Sequence, residues 1–185
     1  MLILASQSPR RAEILRLAGI PFTVKPARVD ETVQPGEQAE DYVKRVAQEK
    51  ALAVAEGEEI VLGADTVVVI GGEILGKPQD AADAIRMLES LADRKHEVIT
   101  GICLKRGEQV TVDWAVTRVW FIPLTREEIE AYVATREPVD KAGAYAIQGL
   151  ASKFIQRIDG SYTNVVGLPI ETVYKHLRKW GGLAG

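Results

Sequence analysis

Cysteine is almost missing from this chain. Cys103 is the only one in 185 residues, so no disulfide can form within the chain and the fold must rest on packing. It stands in the alternating run Ile99–Leu104 with no motif around it, which reads as a buried core thiol and not a nucleophile. Histidine is nearly as scarce. His96 and His176 have no partners at metal-ligand or triad spacing, which leaves a zinc site or Ser-His-Asp chemistry without support. Positive charge is not in excess either: 23 Lys and Arg against 26 Asp and Glu leave a net charge of -3. That balance excludes a general nucleic-acid binder, which needs a basic face, so any polyanion site must be local. No apolar run approaches the roughly 20 residues of a membrane-spanning helix, and the chain opens directly on strand residues, so the expectation is a cytoplasmic protein with no membrane contact. There is no internal repeat, low-complexity tract or linker. What remains is an ordinary globular composition, 46% hydrophobic and 26% charged, which predicts one domain over 1–185 with room for two lobes.

The stretch from Leu2 to Leu17 carries the first chemical signal. Leu2–Leu4 reads as a buried strand, Ala5–Pro9 as a tight polar loop and Arg10–Leu17 as the start of a helix. Ser8 is placed to cap that helix, with Pro9 at the first helical position, where a missing N–H costs nothing. Arg10 and Arg11 then fall in the first turn, at the positive end of the helix dipole, where cations are unfavourable. Two readings stand. Either both are solvated surface residues, or an anion binds where N–H groups, serine hydroxyls and two guanidinium forks converge.

Further along, Gly19 and Pro21 end the first helix and Phe22–Lys25 reads as a strand. Asp30 and Glu31 follow in a loop. A helix is predicted from about Ala39 to Ala55, with Val43, Val46, Ala47 and Val54 on one stripe and Lys50 on the same stripe. Such a lysine must either snorkel to the edge or meet an anion. Ile60–Leu62 and Val67–Ile70 read as buried strand on either side of Gly63, Ala64, Asp65 and Thr66, which plants a carboxylate inside an apolar sheet. An unpaired charge there is expensive, so Asp65 needs a partner. Gly63 marks either a bulge or a close approach by a ligand.

Gly71-Gly72 predicts a hairpin turn. Gly71 to Lys77 matches part of a P-loop, but Pro78 follows the lysine and has neither a hydroxyl nor an N–H to offer, so that motif is rejected. Asp80 caps a helix with core positions Ile85, Leu88 and Leu91. Val98–Leu104 and Val110–Ile122 form a hairpin turning near Gly107. Thr125 and Glu128 form a capping box. Trp114 and Trp120 read as core or interface residues, and His96 as lying at a strand edge. The small-residue run from Asp140 to Gly149 suits a pocket wall that reads a flat ring, although a plain loop and short strand fits the composition equally. Lys153–Ile158 and Tyr162–Val166 read as two strands about an Asp159-Gly160 turn, and Pro169 opens a last helix stopped by Gly181 and Gly182.

Five segments in order carry a resemblance: Ser6-Gln7-Ser8-Pro9-Arg10-Arg11, Gly63-Ala64-Asp65-Thr66-Val67, Leu75-Gly76-Lys77-Pro78, Lys141 to Gly149, and Gly160 to Pro169. Together they resemble the Maf family of nucleoside triphosphate pyrophosphatases, and the Tyr145-Ala146-Ile147-Gln148-Gly149 form resembles the branch acting on dTTP and UTP. The resemblance implies an α/β fold, with a mixed twisted sheet, flanking helices and two lobes around a central cleft, similar to the inosine triphosphatases. It implies hydrolysis to nucleoside monophosphate and pyrophosphate by water attack on the α-phosphorus, with Asp65 as proton acceptor. Arg10, Thr66 and Gln148 match positions that set nucleotide preference. Ser8, Arg11, Lys50 and Lys77 match positions around the phosphates, and Glu31 with Asp65 matches a site for a divalent cation, Mg2+ or Mn2+. A homodimer is in keeping with the family. The same resemblance admits two other roles: a regulatory nucleotide-binding protein that inhibits septum formation in cell division, or a housekeeping pyrophosphatase for modified nucleotides.

Overall fold

The computed structural model describes residues 1–182. Short apolar segments build its parallel part: β1 (Leu2–Leu4), followed by α1 (Pro9–Leu17) and β2 (Phe22–Val24). The long helix α2 (Ala39–Val54) leads into β3 (Ile60–Ile70), and β1 pairs in parallel with both β2 and β3. β4 (Glu73–Leu75) folds back antiparallel on β3, with Ile70 opposite Glu73. The Gly71-Gly72 turn that joins them has φ of 55° and 82°, the left-handed pair a two-residue hairpin needs. α3 (Ala81–Leu91), β5 (Lys95–Arg106), β6 (Gln109–Phe121) and α4 (Arg126–Ala134) follow. Three 3₁₀ segments, Glu137–Asp140, Ala142–Ala144 and Leu150–Phe154, lead to β7 (Ile155–Asp159), α5 (Tyr162–Val166) and α6 (Ile170–Lys179). The result is a mixed seven-stranded sheet in the order β2-β1-β3-β5-β6-β7, with β4 on β3. The expected α/β class is borne out.

The chain divides into two compact units. The first takes Met1–Asp65, Thr100–Ala115 and the chain from Gly167 onward; the second takes Thr66–Ile99 and Val116–Val166. In the first, Ile3, Ala5, Ala47, Ala51, Val54, Val61 and Cys103 pack α2 onto the sheet. Cys103 is fully buried and burial pushes its thiol up to about 12, the inert core thiol that was expected. Gly63 and Gly101 let the helix backbone descend. A Cβ on Gly63 would lie 2.1 Å from the Ala47 carbonyl oxygen, and one on Gly101 2.3 Å from that of Val43. Gly63 is therefore where α2 rests, which leaves no room for a ligand on that side of the strand.

In the second unit, Val68, Leu75, Leu88, Leu91, Val119, Phe121, Tyr132 and Tyr145 share one core. Both expected helix caps are present: Asp80 Oδ1 accepts from the Asp83 N–H at 2.8 Å, and Thr125 with Glu128 closes a capping box. On α3 the buried face runs through Ala84, Met87, Leu88 and Leu91, with Ile85 only partly covered. Four further expectations are corrected. Tyr162–Val166 is a helix and not a returning strand, because Ser161 Oγ accepts from the Asn164 N–H at 3.3 Å, the side-chain cap that starts a turn of helix. The strand expected from Lys153 begins only at Ile155, after a 3₁₀ turn. His96 is not at an exposed edge: it is 1% exposed and shares a 2.7 Å hydrogen bond with the Tyr145 hydroxyl. Of the two readings of Trp114 and Trp120, core or interface, the core reading fails, since Trp114 is exposed and Trp120 only partly covered. Each lies under a cation, Lys44 in the first unit and Arg157 in the second.

Candidate functional site

Asp65 is 7% exposed and Lys50 8%, which fits a carboxylate and an ammonium only if each stabilises the other. They do. Lys50 Nζ donates to Asp65 Oδ1 at 2.9 Å and pairs with Glu31 Oε1 at 2.7 Å. The lysine on the apolar stripe of α2 therefore meets an anion, and that anion belongs to the protein. Helical spacing brings this about: Tyr42, Val46 and Lys50 follow at intervals of four on one face of α2, while β3 aims Asp65 from the sheet beneath.

Glu31 is itself exposed, so its loop needs anchoring. The Tyr42 hydroxyl donates to the Glu31 carbonyl oxygen at 2.8 Å, and Arg45 Nη2 donates to the Thr32 carbonyl oxygen at 3.0 Å. Arg45 also pairs with Glu37 at 2.6 Å, farther along the same loop. Burial first, then the negative charges of Asp65 and Glu31, push the Tyr42 phenol above its ordinary range, so it stays a hydroxyl donor.

The opening loop is built differently from its expected form. Ser8 occupies the N-cap position of α1 with Pro9 after it, but its side chain makes no capping bond. The organising hydroxyl is that of Ser6, whose Oγ accepts from the Ser8 N–H at 3.2 Å and from Arg11 Nη1 at 3.1 Å. Arg11 is buried, and its Nε donates to the Gly167 carbonyl oxygen at 2.8 Å. Desolvation lowers its pKa, the Asp65 charge opposes that shift, and neighbouring Arg10 adds to it. Arg11 thus sits within the electrostatic reach of Asp65. Arg10 is half-buried in the first turn of α1.

Three of the expected residues belong to the second unit. Thr66 is half-buried in β3, directly after Asp65 and so on the opposite face of the strand. Lys77 is exposed on the loop after β4. That loop is tied to the small-residue segment, because the Gly143 N–H donates to the Gly76 carbonyl oxygen at 3.1 Å. Gly143, with φ of 68°, has room only for hydrogen, since a Cβ would lie 2.6 Å from Val68 Cγ2. Within that segment Ala144 and Tyr145 turn into the core, and Gln148 is exposed on the following turn.

The structure therefore joins Glu31, Lys50 and Asp65 directly, with Arg11 and Ser6 beside them in the same unit. It places Lys77 and Gln148 on two loops of the other. Two contributors had gone unnoticed in the sequence: Tyr42, whose position on the Lys50 stripe was the available signal, and the Gly167 carbonyl, for which there was none. Asp65 and Glu31 present hard carboxylate oxygens, the donor type a divalent ion takes, on either side of Lys50 Nζ. Among the described residues no group of three or more His, Cys, Asp or Glu side chains is placed to hold a metal ion.

Comparison with known proteins agrees with this geometry. The profile of the family described as Maf-like protein matches residues 1–180. A protein of Anaeromyxobacter sp. strain Fw109-5 named dTTP/UTP pyrophosphatase is 55% identical over 185 residues, covering 97% of this chain and 89% of the relative. One of the same name from Geobacter metallireducens is 52% identical over 186 residues, covering 98% and 97%. Among solved structures, that of a HAM1 protein from Coxiella burnetii superposes with a TM-score of 0.55 at 17% identity, over 96% of this chain and 98% of that one. At that identity the likeness speaks for the fold.

Proposed function

The chain belongs to the Maf-like protein family, and from that premise we propose that it is a nucleoside triphosphate pyrophosphatase acting on dTTP and UTP. The observation that carries the reading is the buried Asp65 carboxylate held at 2.9 Å by Lys50. A protein that needed only a stable sheet would gain more from an apolar residue at this position. Relatives more than half identical bear the name dTTP/UTP pyrophosphatase.

In the reaction, a water oxygen bonds to the α-phosphorus and the bond from that phosphorus to the α–β bridging oxygen breaks. The products are the nucleoside monophosphate and pyrophosphate. Asp65 accepts the proton that the water loses, and Lys50, donating to its Oδ1 at 2.9 Å, holds the carboxylate oriented for that transfer. Glu31 and Asp65 would hold a divalent cation, Mg2+ or Mn2+, which supplies charge neutralisation at the phosphates. Arg11 and Lys77 offer positive charge to the triphosphate, and the Ser8 hydroxyl a hydrogen bond. Arg10, Thr66 and Gln148 select the nucleotide. The Gln148 amide offers one donor and one acceptor, the complement of the N3–H and O4 edge of thymine and uracil. A cytoplasmic homodimer completes the reading.

A panel of nucleoside triphosphates with Mg2+ or Mn2+, scored for pyrophosphate against single phosphate, tests it. The expected result is pyrophosphate released fastest from dTTP and UTP. Single phosphate would overturn attack at the α-phosphorus, and no turnover of any nucleotide would overturn the enzyme.

A further inference from the structure

The turn that carries Gln148 is gripped from below by a residue to which no role has been given. Glu137 Oε1 accepts from the Leu150 N–H at 3.0 Å. The grip is tight enough that a Cβ on Gly149 would lie 1.9 Å from that same oxygen, so the carboxylate fills the space a side chain would take. The other end of the turn is held as well: the Ala146 N–H donates to the Tyr132 hydroxyl at 3.3 Å, and the turn closes on itself through Gly149 N–H to the Ala146 carbonyl oxygen at 3.1 Å. Tyr132 is 3% exposed, and burial followed by interaction with the Glu137 carboxylate keeps its phenol protonated. The backbone is bent to deliver Glu137 here. Arg136, just before it, adopts φ of 66°, a conformation that costs a non-glycine residue energy and persists only where the surroundings enforce it. The Glu137 carbonyl oxygen is in turn held by Lys141 Nζ at 2.9 Å.

This matters because Gln148 is exposed, and an amide can read a base only if its orientation is fixed. Thymine and uracil present an acceptor at O4 and a donor at N3, whereas cytosine presents a donor at N4 and an acceptor at N3. A rotated glutamine amide satisfies the second pattern as well as the first. Discrimination therefore depends on the backbone that aims the amide as much as on the amide itself. We propose that Glu137 is the positioning residue for base selection, holding the Ala146–Leu150 turn so that Gln148 reads the thymine and uracil edge and not that of cytosine. The proposal rests on the pyrophosphatase reading above.

The test compares kcat/KM for dTTP and dCTP in the parent, Glu137→Ala, Glu137→Gln and Gly149→Ala, alongside amide hydrogen exchange at Leu150. Glu137→Ala should lower the dTTP to dCTP ratio by about tenfold, as expected when a hydrogen-bonding specificity contact loses its placement, and should speed exchange at Leu150. Glu137→Gln keeps an oxygen for the Leu150 N–H and should restore both. Gly149→Ala should reproduce the loss by displacing the carboxylate, and should add nothing in the Glu137→Ala background. An unchanged ratio in Glu137→Ala, or a Glu137→Gln variant no better than the alanine, overturns the positioning role. Should Glu137→Ala fail to fold, Gly149→Ala alone decides by the same ratio. A parent that hydrolyses neither nucleotide overturns the pyrophosphatase reading, and the substrate role of Glu137 with it. A parent that prefers dTTP while every variant keeps that preference overturns the role of Glu137 alone.

Discussion

Asp65 and Lys50 can be separated by substitution because they contribute different things. Asp65→Asn keeps an oxygen for the Lys50 ammonium but has no basic oxygen to take a proton. Its turnover of dTTP should fall at least about a hundredfold, the usual worth of a positioned general base, while the thermal midpoint stays near the parent's. Turnover at the parent rate in a folded Asp65→Asn protein would remove the assignment. Lys50→Met does the reverse damage, leaving the buried Asp65 charge without its partner, and should cost about 3 kcal/mol of stability in urea unfolding as well as activity. At this scale the sequence was informative where a residue violated its surroundings: a carboxylate inside a strand and a lysine on an apolar stripe each demanded a partner, and they are partners of each other. It was silent on the Gly167 carbonyl and on Glu137. Gly167 meets Arg11 from 156 residues away and Glu137 meets Leu150 from 13, and a carbonyl or a loop acid violates no local rule.

Elements show the same division. Helices whose ends carry their own caps, Asp80 before α3 and the Thr125–Glu128 box before α4, were readable because cap and helix are neighbours in sequence. α5 was not. Thr163, Val165 and Val166 are β-branched and follow an Asp159-Gly160 turn, so local propensity favours a strand. The helix prevails because Asn164, fully buried, donates its amide to the Val98 carbonyl oxygen at 3.1 Å and to Thr117 Oγ1 at 2.9 Å. The close approach at Gly63 is likewise beyond local sequence, since only the packed structure shows the α2 backbone lying on it. That placement carries a prediction. Gly63→Ala would thrust a methyl group to 2.1 Å from the Ala47 carbonyl oxygen and 2.8 Å from the Ala51 nitrogen, and rigid backbone cannot yield as a side chain can. The expected cost is about 3 kcal/mol, the upper end for overpacking. Gly76→Ala, which meets nothing within 4 Å, should change the urea midpoint hardly at all. Equal effects from the two would show that α2 does not rest on Gly63.

For the whole molecule, the response to acid turns on a histidine remote in sequence from every proposed catalytic group. His96 lies in the core of the second unit, edge-on to Phe121 and Tyr145 at 5.1 and 5.5 Å between ring centroids. Burial lowers its pKa from 6.5 to about 3, so the ring is neutral in the folded protein while the unfolded chain takes up a proton near its ordinary value. Between those two values the unfolded state binds more protons, so stability falls as pH falls, by at most about 1.4 kcal/mol per pH unit for one such group. Above pH 6.5 the contribution is fully present. Carboxylates whose pKa is lowered in the folded state, such as Asp83, held first by the Gln79 N–H and then by Arg86, add losses of the same sign at lower pH, so the histidine must be isolated by difference. His96→Gln retains a polar atom for the Tyr145 hydroxyl and cannot ionise. It should be less stable than the parent at pH 7, and the gap should narrow steadily from pH 6.5 to pH 4 in chemical unfolding. A gap that stays constant over that range would mean that His96 is not the neutral, proton-excluding group its burial makes it.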